Sequence, residues 1–154
     1  MDKTPLGTTL IAPVETMQPQ YSLIDRDAEA ELLPYAEHAA IGVLVYSPMA
    51  SGLLSGAMTR SRVAHLPDDD WRKHDPRFQE PRLSRHLAMV ERLRRVAHRQ
   101  FTTPGAVAIA WALRHPAVDG AIVGFRRPAQ VDPLLRAADL RLDACDIAVI
   151  EGRD

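Results

Sequence analysis

Ile41-Gly42-Val43-Leu44-Val45-Tyr46-Ser47-Pro48 is the stretch on which the reading of this chain turns. Ile41, Val43, Leu44 and Val45 make an almost unbroken aliphatic run, and Pro48 closes it. A run this short, rich in β-branched residues and lacking polar alternation, predicts a strand of a parallel sheet covered on both faces. Parallel neighbours require crossover segments, and both flanks carry patterns for them. Upstream, 27–38 predicts a helix: Ala28, Leu32, Leu33 and Ala36 recur at helical spacing, Asp25 or Asp27 can cap it, and Pro34 shortens or kinks its end. Before that, 12–18 alternates and predicts a short strand that Pro19 ends. Downstream, 83–99 predicts an amphipathic helix with Leu87, Val90, Leu93, Val96 and Ala97 on one face. Thr103 followed by Pro104 marks the start of a helix over 104–114, since a hydroxyl cap and a proline at the first position suit a helix N-terminus. A third strand is expected at 120–124, then helices at 128–138 and 144–151, the last capped by Asp143. Strands alternating with helices define an α/β fold, here about three parallel strands with flanking helices.

The rest of the composition narrows the function classes. The chain has 154 residues, 46% of them apolar, at a net charge of −1. That is one domain with a real core and no overall field to recruit nucleic acid or an anionic membrane. Residues 1–11 have no period and read as a loose lead-in to a domain at 12–154. Residues 49–82 hold Gly52, Gly56, Pro67, Pro76 and Pro81 without sustained periodicity, so they predict a long irregular loop, which in a compact domain is usually functional or disordered. The single cysteine, Cys145, excludes an internal disulfide. The six histidines lack ligand spacing and Asp68-Asp69-Asp70 reads as a solvated charge run, so no metal site is expected. With no apolar run near about 18 residues and no secretory leader pattern, a soluble, cytoplasmic protein is expected.

Three phrases follow the three expected strands: Gln18-Pro19-Gln20-Tyr21-Ser22-Leu23, then Val45-Tyr46-Ser47-Pro48-Met49-Ala50-Ser51-Gly52-Leu53-Leu54-Ser55-Gly56, then Ile122-Val123-Gly124-Phe125-Arg126-Arg127-Pro128-Ala129-Gln130. Together, in this order and spacing, they resemble the aldo-keto reductase signatures after the sixth, seventh and eighth strands of a (β/α)8 barrel. The resemblance covers about residues 12–151. It implies a partial TIM barrel, the C-terminal half, and a site at the C-terminal ends of the strands, where phosphate often lies near strands seven and eight. It implies NADP(H) as cofactor. Gln18 would hold the nicotinamide carboxamide and Tyr21 would stack on its ring. Ser47, Met49, Ser51 and Gly52 would bind the pyrophosphate, and Gly124, Arg126 and Gln130 would line the adenosine end. The residue types suit these tasks: small residues let backbone amides approach phosphate, and arginine makes forked contacts with phosphate oxygens.

Departures bear on the same site. Where the family commonly has Glu-Asn against adenine, Pro133 and Leu134 stand here, with Pro133 in the middle of an expected helix. Ala57 stands where a lysine is common. The family's catalytic tyrosine, lysine, aspartate and histidine come from the first half of the barrel, and their motifs have no counterpart in these residues. A barrel of this class typically takes about 250 residues. The resemblance therefore implies a reductase-type oxidoreductase, interconverting carbonyl and alcohol, truncated to its cofactor-holding half, with no catalytic residue on this chain. A small-molecule carbonyl substrate would be handled only if an N-terminal half completed the barrel. The other reading is a non-catalytic NADP(H)-binding or interaction module.

Val14, Val43, Val45 and Ile122 are expected to face the barrel interior. Two free sheet edges and this interior surface predict a marginal or self-associating chain. Sedimentation velocity is expected to show species larger than a monomer; a strictly monomeric species with a sharp, cooperative melt would count against this.

Overall fold

The computed structural model describes residues 12–153; the expected lead-in at 1–11 lies outside them. Its centre is strand β2 (Gly42–Tyr46), hydrogen-bonded in parallel to β1 (Thr16–Met17) on one side and β3 (Gly120–Ile122) on the other, in the order β1-β2-β3. Thr16 and Met17 stand opposite Gly42 and Val43. Leu44, Val45 and Tyr46 stand opposite Gly120, Ala121 and Ile122. Asp119 ties the start of this ladder: its carboxylate accepts from the Val43 amide at 2.8 Å and its own amide donates to the Val43 carbonyl at 2.9 Å. The α/β class, with three parallel strands and flanking helices, is as the sequence predicts.

Among the described residues six α-helices flank the sheet: α1 (Leu32–His38), α2 (Arg60–Ala64), α3 (Arg82–Arg99), α4 (Pro104–Leu113), α5 (Val131–Leu135) and α6 (Ala144–Glu151). None is long and apolar enough to cross a membrane. Val43 and Val45 are fully buried in a core shared with Leu33 and Ala36 of α1, Val90, Leu93 and Val96 of α3, Trp111 of α4 and Ile150 of α6. The expectation that Val43 and Val45 face a barrel interior is thus corrected. A strand sends alternate side chains to opposite faces. The phase carrying the two valines meets the helices, because the helices provide the large apolar surface that β-branched side chains pack against. The opposite phase carries Leu44 and Tyr46, and there Tyr46 and its neighbour Ile122 are 42% and 45% exposed. Ile122 faces as expected; Val14 instead packs partly buried against the core.

Two caps read from sequence are in place, and one is not: neither Asp25 nor Asp27 caps α1, which follows Glu31 with no side-chain cap bond. Thr103 Oγ1 accepts from the Ala106 amide at 3.2 Å with Pro104 opening α4. Asp143 accepts from the Asp146 amide at 2.7 Å at the start of α6. The two expected helices that contain prolines differ. Helix α1 begins only at Leu32, after a separate 3-10 turn at Asp27–Glu29, so Pro34 lies in its first turn. There a missing amide costs no intrahelical bond, because the first four amides of a helix have none. The same holds at Pro133, the third residue of α5: the expected helix over 128–138 breaks into a 3-10 turn, a short α segment and a second 3-10 turn. Between β2 and α3 the long irregular segment is built from 3-10 turns at Ala50–Ser55, Trp71–Lys73 and Pro76–Phe78 around α2, pinned by buried Met58, Val63, Leu66 and Phe78.

Asp146 fastens α6 to α3. Only 2% exposed, it accepts from Arg99 at 2.5 Å and from Gln100 at 2.8 Å while completing the Asp143 capping box. Charge-assisted hydrogen bonds of this kind contribute about 2–3 kcal/mol together, after allowance for the half-exposed Arg99 end. Asp146→Ala is therefore expected to lower Tm by roughly 4–12 °C. Asp146→Asn, which keeps an acceptor for Gln100, is expected to lose less. Equal melting of both variants with the parent, by calorimetry, would show that the contact carries no such role.

Candidate functional site

A cavity of about 550 Å³ opens at the C-terminal ends of β2 and β3. That size lies in the range of small-molecule sites. One wall is the segment leaving β2, which is bent sharply. Ser47, Ala50 and Ser51 hold φ of +55°, +46° and +55°, followed by Gly52 at +94° and Gly56 at +82°. For a residue with a Cβ the left-handed region costs about 1–2 kcal/mol, so three such residues in one loop amount to stored strain. Anchors offset it: Ala50, Leu53 and Leu54 are fully buried, and the Ala50 amide donates to the Ser47 carbonyl at 2.8 Å. Ser55 Oγ donates to the Gly52 carbonyl at 2.6 Å. Strain of this kind collects at functional sites.

The second wall follows β3. The Gln130 side chain accepts from the Arg126 and Arg127 amides at 2.8 and 3.0 Å, which fixes the turn 124–130 and leaves both arginines exposed. A Cβ added at Gly124 would meet nothing within 4 Å, so the space above that backbone is open to a ligand. The third wall comes from the long segment before α3: Arg62, Trp71 and Arg72 line the cavity. Arg72 is nearly buried and grips Asp70 with a fork, Nε at 2.9 Å and Nη2 at 2.5 Å, while the Asp70 carboxylate also accepts from the Arg72 amide at 3.1 Å. These bonds, joined by the charge of Arg126, hold the Asp70 carboxyl down at about 2. Arg72 and Asp70 offset one another, and Arg62 and Arg126 leave the walls with positive charge, so the cavity favours anionic ligands.

Of the nine residues singled out from the sequence, Ser47, Met49, Ser51, Gly52, Gly124, Arg126 and Gln130 line this one cavity. Gln18 is exposed at the end of β1 and is outside its lining. Tyr21 is elsewhere altogether. Its ring is fully buried, 5.4 Å from the Trp111 ring centroid, and its hydroxyl donates to Glu29 at 2.7 Å. Burial first, and the bond to Glu29 second, push its phenol far above the ordinary tyrosine range, so it exchanges no proton near neutrality. The Tyr21 expectation fails on strand phase: Gln20 pairs with Tyr46 on the open side, so Tyr21 falls on the helix side. The tyrosine that does reach the cavity is Tyr46, whose hydroxyl lies 3.4 Å from Gln20 Oε1. Its position was legible in principle, since it stands three residues past Val43, in the opposite phase. Trp71, Arg72 and Phe125 were missed as well; nothing in the spacing of the 49–82 segment announces that it folds back over the strand ends. Leu134, Met49 and Val123 pack, partly buried, against the small cluster of Ala106, Ile109, Ala110 and Ala137.

A parallel sheet with its helices on one face and an anion-favouring cavity at the C-terminal strand ends defines part of a (β/α)8 barrel with a strand-end ligand site. The chain belongs to the aldo/keto reductase family, whose model matches residues 6–153. It is 36% identical over 137 residues to the aldo-keto reductase YhdN of Bacillus subtilis (strain 168), an alignment covering 88% of this chain and 41% of that protein. The fold is similar to the structure of a glycerol dehydrogenase from Gluconobacter oxydans, with a TM-score of 0.85 at 32% identity, over 94% of this chain and 43% of that one. The chain thus spans about two-fifths of the length of these relatives. Members of the family generally use a nicotinamide cofactor.

Because the folded-state pKa of Asp70 is depressed below its unfolded value of about 3.9, its stabilising grip on Arg72 is complete above that value and lost as pH falls through about 2. An NMR titration of side-chain carboxyls is expected to find the Asp70 midpoint near that low value, returning to the ordinary range in Arg72→Gln. An ordinary midpoint in the parent would remove the Asp70–Arg72 fork from the description of the cavity.

Proposed function

We propose that this chain holds NADP(H) in its strand-end cavity and forms the cofactor-gripping C-terminal part of a carbonyl/alcohol oxidoreductase. The observation that carries the reading is the convergence of the strained Ser47–Gly52 loop, the Gly124–Gln130 turn and the exposed guanidinium of Arg126 on a single cavity. The fit is chemical: an arginine-rimmed cavity with left-handed backbone on one wall and an open glycine on another suits a phosphorylated dinucleotide. Ser47, Met49, Ser51 and Gly52 would bind the pyrophosphate, partly through backbone. Arg126, on a turn fixed by Gln130, would meet the 2′-phosphate, the feature that separates NADP(H) from NAD(H). Tyr46, half-exposed on the open face, takes the nicotinamide-stacking role expected of Tyr21, and Gln18 remains the candidate for the carboxamide. When bound, the cofactor supplies or accepts the hydride. The relatives' names point to carbonyl compounds and small polyols such as glycerol as the substrate class. The remaining βα units would come from further polypeptide, in a soluble cytoplasmic protein.

A second reading, cofactor binding without chemistry by this chain alone, has its own support. A tyrosine acid needs a nearby cation to lower its pKa. Among the described residues Lys73 is the one lysine, and it is engaged with Asp68.

Titration of the 154-residue chain with NADPH, followed by the fluorescence of the reduced nicotinamide, tests the proposal. Saturable enhancement is expected, with Arg126→Ala weakening NADPH by about 10-fold or more and NADH much less, as loss of one charged contact implies. No change at millimolar cofactor would sink both readings. Carbonyl turnover by the purified chain would decide between them in favour of chemistry.

A further inference from the structure

Trp71 is the feature of the cavity that the phosphate contacts leave unexplained. The chain has two tryptophans. Trp111 is fully buried in the core, whereas Trp71 is 54% exposed on the cavity wall. Half-exposed indole in a mobile loop would be unremarked, but this indole is fixed. It sits at the first position of a 3-10 turn capped by Asp70, directly between Asp70 and Arg72, whose side chains lock together. Phe78 meets its ring edge-on at 6.2 Å, and the Arg77 guanidinium stands 5.9 Å from its centroid. Arg77 is itself held by Asp75 at 2.7 Å. Phe125, also 54% exposed, lines the same cavity, next in sequence to Arg126.

A large apolar ring held rigid and left half in water loses the stabilisation its burial would give. Placed in a cavity rimmed by arginines, it offers what those arginines lack: a flat π surface for a flat ligand group. Every nucleobase has such a face, and base–aromatic stacking tolerates any base orientation that lies flat. Resting on the reading of this cavity as a nucleotide site, we infer that Trp71 stacks on the purine of the bound nucleotide, with Phe125 as a second apolar wall. The purine end is then recognised by ring contact from the 71–73 turn, and the phosphates by Arg126 and the Ser47–Gly52 loop. Trp71 is a binding and positioning residue, and nothing in this assigns it a chemical step.

The test separates the two halves of the nucleotide. Adenosine 2′,5′-bisphosphate carries the purine and both phosphates without nicotinamide; reduced nicotinamide mononucleotide carries the nicotinamide without purine. Adenosine 2′,5′-bisphosphate is expected to quench the long-wavelength emission of the exposed Trp71 saturably, and Trp71→Phe to remove that signal while keeping most affinity. Trp71→Ala is expected to weaken adenosine 2′,5′-bisphosphate and NADPH by roughly 5- to 150-fold, the range for loss of one stacked base, and to leave the mononucleotide unchanged. Unchanged circular dichroism and melting of Trp71→Ala would confirm that the exposed position tolerates the change; if it does not, the quench on the parent chain still decides. NADPH binding to Trp71→Ala at parent affinity, or adenosine 2′,5′-bisphosphate binding to the parent without quench, would overturn the stacking role and leave the cofactor reading standing. Failure of the parent to bind either NADPH or adenosine 2′,5′-bisphosphate would overturn the cofactor reading, and the stacking role with it.

Discussion

The two-faced character of β2 governs the rest of the structure. It is the middle strand, so its backbone groups are committed to β1 on one side and β3 on the other. That leaves its side chains one freedom, which phase faces the helices, and a shift of one residue would reverse all of them. With Val43 and Val45 toward α1, α3 and α4, the fold gains a dry core. The same choice sends Tyr46 to the open side, at the strand end where the cavity begins. Core formation and site construction are therefore one decision: the packing that buries two valines also presents an aromatic ring to a ligand.

The strain in the loop after β2 is sustained by close packing against α4. A Cβ at Gly56 would lie 2.8 Å from Pro104 Cγ, and one at Gly105 would lie 3.0 Å from both Met49 Sδ and a Leu134 methyl. Gly56 also has a φ that L side chains rarely adopt. These glycines let the N-terminus of α4 press directly on the bent loop, so its left-handed residues have little room to relax. A loop held this way gives up conformational entropy before a ligand arrives, and preorganisation of that sort lowers the cost of binding. Helix α4, buried along almost its whole length, thus supports from behind a cavity that it does not itself line.

Much of this was legible in the sequence, and the parts that were not share a cause. Two helix starts are legible from local signal alone: Thr103-Pro104 and Asp143 are caps whose side chains bond amides three residues on, and no distant contact is needed to predict them. Strand β2 was legible from its apolar run, but its phase was not. An unbroken aliphatic stretch has no polar alternation to show which side meets the helices, so Val43 and Val45 were assigned to the wrong face and Tyr21 was preferred to Tyr46. The cavity positions of Ser47, Met49, Ser51, Gly52, Gly124, Arg126 and Gln130 are legible because these residues follow strands directly. Trp71 and Arg72 were not, since their approach to the strand ends depends on Met58, Val63, Leu66 and Phe78 folding the long segment down, a tertiary event with no period. Pro133 would be damaging inside one continuous helix over 128–138; in a segment broken into short turns it costs no hydrogen bond.

The open face of the sheet is where fold and family meet. Leu44, Tyr46 and Ile122 share it, and among the described residues no helix covers Tyr46 or Ile122. Burying a side chain of that size stabilises by about 1.5–3 kcal/mol, so this face holds a substantial stabilisation that the helices do not supply. In a closed barrel of the same family the strand phase that carries Tyr46 would point inward and be packed by the facing strands. The relatives compared are more than twice as long as the matched region, and the match runs through nearly all of this chain. The surface that is apolar without a cover and the length by which the relatives exceed the match are consistent with one another: the side of the sheet whose rim opens on the cavity is also the side on which the rest of a barrel would close.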